Sequence, residues 1–530
     1  MRRVRGWVAV LVLAALFATA CGGDDDDDNA AVNTTTAGTA TNATTVNAVN
    51  YDREATLKAI ISFLTSRLEP HFTTNGIHMM LYDRIVQIDQ NKQIKPGVAT
   101  AWKLSDDALT LTLTLRSDAK FNDGTPIDGA AVKANLDRAR GNPTTLPFAA
   151  AAYEAISSVD VVDATTVAVK LSKPSATLLY QMASNFGSLI NPKAITAQTK
   201  LETSDEGAGS TGYRVANYEP GKSIVLERSA TAPPYWDKTA FTPKRIELTV
   251  SRDAQAQTAA LTTGAVDIAY LDMKLAQAKT SLGTKFGIQD FTSDGGNILL
   301  LYPTGVLADA KVRKAVAQAI DFGKLVSSGA LPVDAEPITQ MFAPGSQGFI
   351  ENYKPLAYDL EAAKKVLTTP FEFRLAIPSG VASQQLVGEY VKEQLARVGV
   401  TVNLTPMPLA EILAKGAAGE LGSSVQASAG TADPTGQIAI VYASNQKAAG
   451  AQAPEVLADI AATNLLKLGS PERKTALENL NKKWLETATV VPIERDIQHF
   501  GYRDKVVGMD LTPHGYSGLV DMRYWGLRAS

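Results

Sequence analysis

The sequence predicts an α/β protein of two or three lobes, and three observations carry that expectation. About 480 residues follow a polar N-terminal stretch, more than one core of ordinary size accommodates. A helix closed by glycine and followed at once by a strand occurs twice: Arg252 to Leu261, Gly264 and Ala265 to Leu271, then Ser383 to Arg397, Gly399 and Val400 to Leu404. Glycine ends a helix cheaply in the left-handed conformation. Between Leu109 and Leu115, leucine alternates with threonine, the pattern of a strand with one buried face.

The other elements follow in chain order. Thr56 to Phe63 reads as the first strand and Leu68 to Gly76 as the loop after it. A helix comes next, with Ile77, Met80, Leu81, Ile85 and Val86 at helical spacing. Phe121-Asn122-Asp123-Gly124-Thr125-Pro126 has the composition of a turn. Asp128 caps a helix bearing Val132, Leu136 and Ala139. Two β runs within Val159 to Leu171 flank Asp163-Ala164. Asp309 and Asp359 cap further helices. Ser470-Pro471 opens another that runs towards Leu485, with serine as the cap and proline in the first turn. Val490 to Ile493 returns as β, and Gly508 to Trp525 is turn-rich.

The N-terminus carries an address. Arg2, Arg3 and Arg5 precede an apolar run from Trp7 to Phe17, then Ala18-Thr19-Ala20-Cys21, the order of a secretory signal. The run is shorter than the about 20 residues a membrane span takes. Cys21 is the only cysteine of 530 residues, whereas exported chains favour paired ones. The plain reading is a signal peptide with a chance cysteine. The alternative is a thiol that takes a lipid, and the following residues favour it. Asp24 to Asp28, then Asn29 to Asn50 without an aromatic or a charge, cannot bury enough apolar surface to fold and make a spacer. The segment resembles the start of a bacterial lipoprotein, with Ala18 where leucine is most usual. That resemblance implies a diacylglyceryl group on Cys21, which meets the requirement of more than one chain for stable anchoring.

Composition excludes other classes. The chain is 45% hydrophobic and 20% charged, a globular balance. Removing three signal arginines takes the formal charge from -3 to near -6, so no nucleic-acid partner is expected. Gly207-Ala208-Gly209-Ser210-Thr211-Gly212 fits GxGxxG, but a polar stretch precedes it and Tyr213-Arg214-Val215 follows as β-like sequence, which is no dinucleotide context. Ser117-Asp118-Ala119-Lys120 fits SxxK but lies between a strand and a turn, with no later KTG. The four histidines, His71, His78, His499 and His514, read plainly as loop or surface residues, and neither a metal nor a cofactor is expected.

Several longer stretches carry a resemblance. Leu68-Glu69-Pro70-His71-Phe72, then the run from Ile94 to Asp107 and the run from Leu115 to Pro126, stand in one order with Thr211-Gly212-Tyr213, Pro220-Gly221-Lys222 and Tyr235-Trp236. Leu261 to Ile268 and Val312 to Asp321 complete the series. In these stretches the chain resembles the family 5 solute-binding lipoproteins of ABC importers, the oligopeptide, dipeptide and nickel type. The resemblance implies a two-lobed periplasmic-binding-protein-like fold (class II, cluster C) with an extra subdomain on lobe I. The implied divisions are a signal peptide over 1–20, a lipid-anchored spacer over 21–52 and lobe I over 53–295 with a subdomain at roughly 78–200. Lobe II then covers 296–490, and 491–530 returns to lobe I. Hinges are expected near Gly295 to Leu300 and Val490 to Ile493.

The site residues follow from the same resemblance. Peptide-binding relatives place an aspartate in an Ala-Asp segment like Ala432-Asp433, where it pairs with the ligand's α-ammonium. A buried carboxylate needs such a cation. This chain departs from the pattern with Ser424-Val425-Gln426 where a tryptophan is usual, and Pro434 directly follows the acid. Phe72, Thr73 and Thr74 follow the first strand of a parallel sheet, beyond whose carboxyl ends ligands lie. Tyr516 of the tail is a further candidate, and His71 and His514 lie in segments that approach the implied cleft.

The expectation is therefore a monomeric, non-enzymatic binder of a peptide or other small solute. It is tethered through Cys21 at the extracytoplasmic membrane face and serves ABC permease subunits. A lipoprotein of this fold in signalling or adhesion, or a cell-wall hydrolase or penicillin-binding enzyme, are the alternatives.

Overall fold

The computed structural model describes residues 50–529 apart from 73–74, 90–92, 198–200, 206, 294, 429–432, 434, 437, 439–451, 513 and 517–518; side chains are also left aside at 147, 410, 417, 452–454, 514–516 and 519. Thr56–Ile61 alternates towards full burial and forms the middle of an eight-stranded sheet. It runs parallel to Arg245–Val250 on one side and Ile268–Leu271 on the other. Ser223–Arg228 and Tyr213–Glu219 extend one edge. Glu494–Arg503 pairs antiparallel with Ile268–Leu271 and with Phe286–Thr292 on the other side.

A second, five-stranded sheet has the order Val400–Met407, Phe371–Pro378, Ser423–Ser428, Gly296–Leu301, Val490–Pro492. Its strand Gly296–Leu301 is buried along its whole length because both faces are covered, Leu299 and Leu301 packing one way, Ile298 and Leu300 the other. A third, antiparallel sheet of Ala99–Leu104, Thr110–Leu115, Thr166–Leu171 and Ile156–Asp163 has its own core. There Leu111, Leu113 and Leu115 are buried as the Leu/Thr alternation predicts, and helix Gly129–Arg140 covers them.

Local chemistry accounts for the helix ends. Asp128, Asp309, Asp359 and Ser470 each accept a backbone N–H of the first turn. Gly264 closes Ala254–Thr263 at φ 80°. The first helix differs from expectation: Gly76–Leu81 stops at Tyr82, and Val86 begins a strand. The cause is distant in sequence. Arg84 donates to Asp521 (2.6 Å) and to the Ala183 carbonyl (2.8 Å), while Asp83 accepts from the Trp236 indole (2.6 Å). Asp521 also holds Arg523 at 2.8 Å. These buried groups pin the chain in an extended course where the apolar spacing alone would continue the helix.

Candidate functional site

The chain passes between the two large sheets at two adjacent places, and again on either side of a strand, Asp334–Pro337, that joins the first sheet. It leaves the first sheet at Thr292 and enters the second at Gly296, then returns from Pro492 to Glu494. Gly296–Leu301 and Val490–Pro492 are antiparallel neighbours, with Ile298 opposite Pro492. The expected hinge ranges thus fall mainly on strands, and the crossings lie beside them, between Thr292 and Gly296 and at Ile493. Close packing requires glycine here: a Cβ at Gly296 would stand 1.7 Å from the Glu494 carbonyl oxygen. The Asn297 side chain donates to the Glu494 carboxylate and accepts from Gln384 at 3.1 Å, which ties the second lobe's helix Ala382–Ala396 to the crossing. One further strand, Asp334–Pro337, comes from within 296–490 yet pairs with Glu494–Arg503 in the first sheet.

The predicted site residues fall in different places. Phe72 is half-buried against the core of the third sheet, with the Arg67 guanidinium 4.2 Å above its ring. Thr73 and Thr74 lie outside the described residues, as does Cys21. Tyr516 is in a short strand, His514–Tyr516, paired with Leu519–Val520. Asp433 is buried in the second lobe, and the cation beside it is Arg473, at 2.7 Å. Thr435 donates its hydroxyl and its amide to the same carboxylate. This end of the second lobe also meets the third sheet's unit: Ala176 donates its amide to the Asn464 carbonyl at 2.8 Å, and the Asp433 charge reaches Tyr180, whose phenol burial pushes up.

The histidines correct the sequence reading. His71 and His78 are fully buried rather than at the surface, His71 within a loop and His78 within the helix Gly76–Leu81. The Arg138 guanidinium points at His71 Nδ1 (2.8 Å), so Nε2–H donates to the Ser188 carbonyl (3.0 Å), and Arg138 also grips Glu69 at 2.6 Å. His78 Nε2 donates to the Arg67 carbonyl at 3.1 Å. Burial lowers both rings to about 4, which keeps them neutral. His499 is buried between Asp290 (2.6 Å) and Asp334 (2.9 Å). Among the described residues no group of three or more His, Cys, Asp or Glu is arranged to hold a metal. Sequence reasoning passed over Glu494 and Asp496. The available signal was two acids two apart, on one face of a strand that directly follows the apolar Val490 to Ile493.

Two α/β lobes on separate sheets joined by paired adjacent crossings define the class of two-lobed periplasmic binding proteins. The family model for "Bacterial extracellular solute-binding proteins, family 5 Middle" matches residues 93–449, and the chain belongs to that family. Its curated relatives include the glutathione-binding protein GsiB of Salmonella typhimurium, 26% identical over 340 residues, which are 63% of this chain and 65% of the relative. GsiB of Escherichia coli K12 is 27% identical over 344 residues, again 63% of this chain and 65% of that one. The match thus spans less than two thirds of these relatives' length. Among solved structures, NikA from Brucella suis with Fe(III)-EDTA aligns with a TM-score of 0.76 at 19% identity, covering 90% of this chain and 100% of that one. DppA from Helicobacter pylori with the peptide STSA gives 0.69 at 18% identity, covering 91% and 99%. Among the described residues no helix is long and apolar enough to cross a membrane.

Proposed function

We propose that this protein captures a small solute, peptide or peptide-like, between its two lobes and delivers it to the permease subunits of an ABC importer, without catalysing a reaction. The observation that carries the reading is the pair of adjacent crossings. Two strands that pass side by side between two sheets permit the lobes to swing about one line while each keeps its core. Solute favours the closed arrangement because it touches both lobes only there. Family membership supports the reading, and the relatives' names carry solutes as different as glutathione and a tetrapeptide.

In the same proposal, lobe I covers 53–295 with the subdomain at 78–200, lobe II 296–490, and 491–530 closes lobe I. Phe72, Thr73, Thr74 and Tyr516 border the cleft from lobe I, and Asp433 borders it from lobe II as an ion pair with Arg473. Residues 1–20 are a signal, and a lipid on Cys21 holds a monomer at the extracytoplasmic face through the 21–52 spacer. Native mass spectrometry of the purified chain would reveal a co-purified solute, and small-angle scattering with and without it would show compaction on binding. An unchanged radius of gyration at saturation would remove the closure mechanism.

A further inference from the structure

Glu494 is 1% exposed, and its two carboxylate oxygens have different surroundings. Oε1 accepts from the Asn297 amide (3.2 Å) and from its side chain. Oε2 is buried without a hydrogen-bond donor. Two residues on, and therefore on the same face of the strand, the Asp496 carboxyl lies within hydrogen-bonding reach of Glu494. Two carboxylates facing each other both accept and neither donates, so a proton or an external cation must stand between them. Burial and the Asp496 charge hold Glu494 up at about 7, and burial followed by the Asp272 charge raises Asp496.

Among the neighbouring cations only Arg252, an exposed side chain, offsets the charge of this pair, by lowering Asp496. Arg495 points to the other face and pairs with Glu336 at 2.6 Å. His499 engages Asp290 and Asp334 on that same opposite face. Asp272 adds a third acid, and the Tyr270 phenol is pushed up to about 12 by burial and then by the Asp272 charge. Arg252 approaches Asp272 only to 3.8 Å, with its side chain 65% exposed.

Solvent reaches this place at Asp496 and Asp272, not at Glu494. Asp496 and Asp272 are half-buried. Asp272 directly follows the carboxyl end of Ile268–Leu271, and solutes in such sheets lie beyond that end. Phe63, 59% exposed, leaves the same end of the adjacent parallel strand Thr56–Ile61. An exposed aromatic face beside an acidic cluster suits a cation.

We infer that Glu494 and Asp496, at the junction of the lobes, form a subsite for a cationic group of the solute, an ammonium or a guanidinium, with Asp272 adding field and Phe63 an aromatic face. The inference rests on the solute-capture reading above and adds the charge of the solute to it. Without solute the pair shares a proton. The incoming cation replaces that proton, which passes to the buffer. Because the pair sits where the chain crosses between lobes, occupancy there is felt by both crossings.

Fragments small enough for any cleft test it. Propylguanidinium and propylammonium, with propanamide as the uncharged control, are titrated calorimetrically into the full mature chain at about pH 6.5, in two buffers of different ionisation heat. Saturable binding of the cations with proton release, absent with propanamide, is expected. Glu494→Gln keeps the acceptor for Asn297 and so keeps the fold. Combined with Asp496→Asn it should weaken cation binding at least tenfold and abolish proton release, while Glu336→Gln on the opposite face leaves both unchanged. Equal behaviour of cations and amide, or undiminished cation binding by the double variant, overturns the subsite. The co-purified solute separates the two levels. A neutral or acidic solute whose affinity ignores the double variant removes the subsite and leaves capture standing, whereas a chain that takes up no solute removes both.

Discussion

Asp433 and Glu494 are both buried carboxylates, and their surroundings treat them in opposite ways. Asp433 has a guanidinium at 2.7 Å and a threonine hydroxyl, all supplied by its own lobe. Glu494 has an amide on one oxygen and a second acid near the other. Removing a charge from water costs several kcal/mol unless a partner offsets it. The first group is thus complete in the fold, and the second is completed by something mobile.

Breaking the completed pair should have the largest effect. Arg473→Met leaves the Asp433 charge buried without its cation and should cost about 3–5 kcal/mol in denaturant unfolding. Adding Asp433→Leu should recover most of that, because both desolvation penalties then disappear. Next comes the crossing itself. Gly296→Ala forces a methyl against the Glu494 carbonyl and should cost about 1–3 kcal/mol, with solute affinity reduced as well.

Titration sharpens the contrast further. The Glu494 pKa in the folded state is raised from 4.5 to about 7, so the fold binds more protons than the unfolded chain across that window. Its contribution is full below about 4.5 and is lost as pH rises through 7. His71 and His78 act with the opposite sign. Their pKa values are lowered from 6.5 to about 4, so their contribution is full above 6.5 and is lost as pH falls through 4. The two windows overlap, and there the two histidines outweigh the one carboxyl, so melting midpoints should rise up to about pH 6.5 and fall from there to about 7. Glu494→Gln should remove the fall above pH 6.5 and steepen the rise below it, and His78→Gln should flatten that rise. The smallest effect is at Phe72, where replacement by leucine removes the Arg67 contact and should cost about 0.5–1 kcal/mol in the same unfolding assay.

What was legible in the sequence depended on how far its cause lay. The caps at Asp128, Asp309, Asp359 and Ser470 are local, since each side chain satisfies an N–H two or three residues ahead. The Leu/Thr strand and the glycine-closed helices were readable for the same reason. The stop at Leu81 was not, because Asp521, more than four hundred residues away, decides the course of Arg84. Histidine burial was hidden likewise: His71 is enclosed by Arg138 and Ser188, which no spacing around position 71 announces. Asp433 was legible as a buried acid that needs a cation, but the identity of that cation depended on a helix forty residues further on.

The strand Glu494–Arg503 carries one more consequence, for the order in which the molecule is assembled. It is inserted between Ile268–Leu271 and Phe286–Thr292, so the first sheet is split until almost the entire chain has been synthesised. The five strands of the second sheet all lie between Gly296 and Pro492 and need nothing later. In a chain that emerges N-terminus first, the lobe that begins earlier must be finished later. Its open strand edges stay available for wrong pairing throughout that interval.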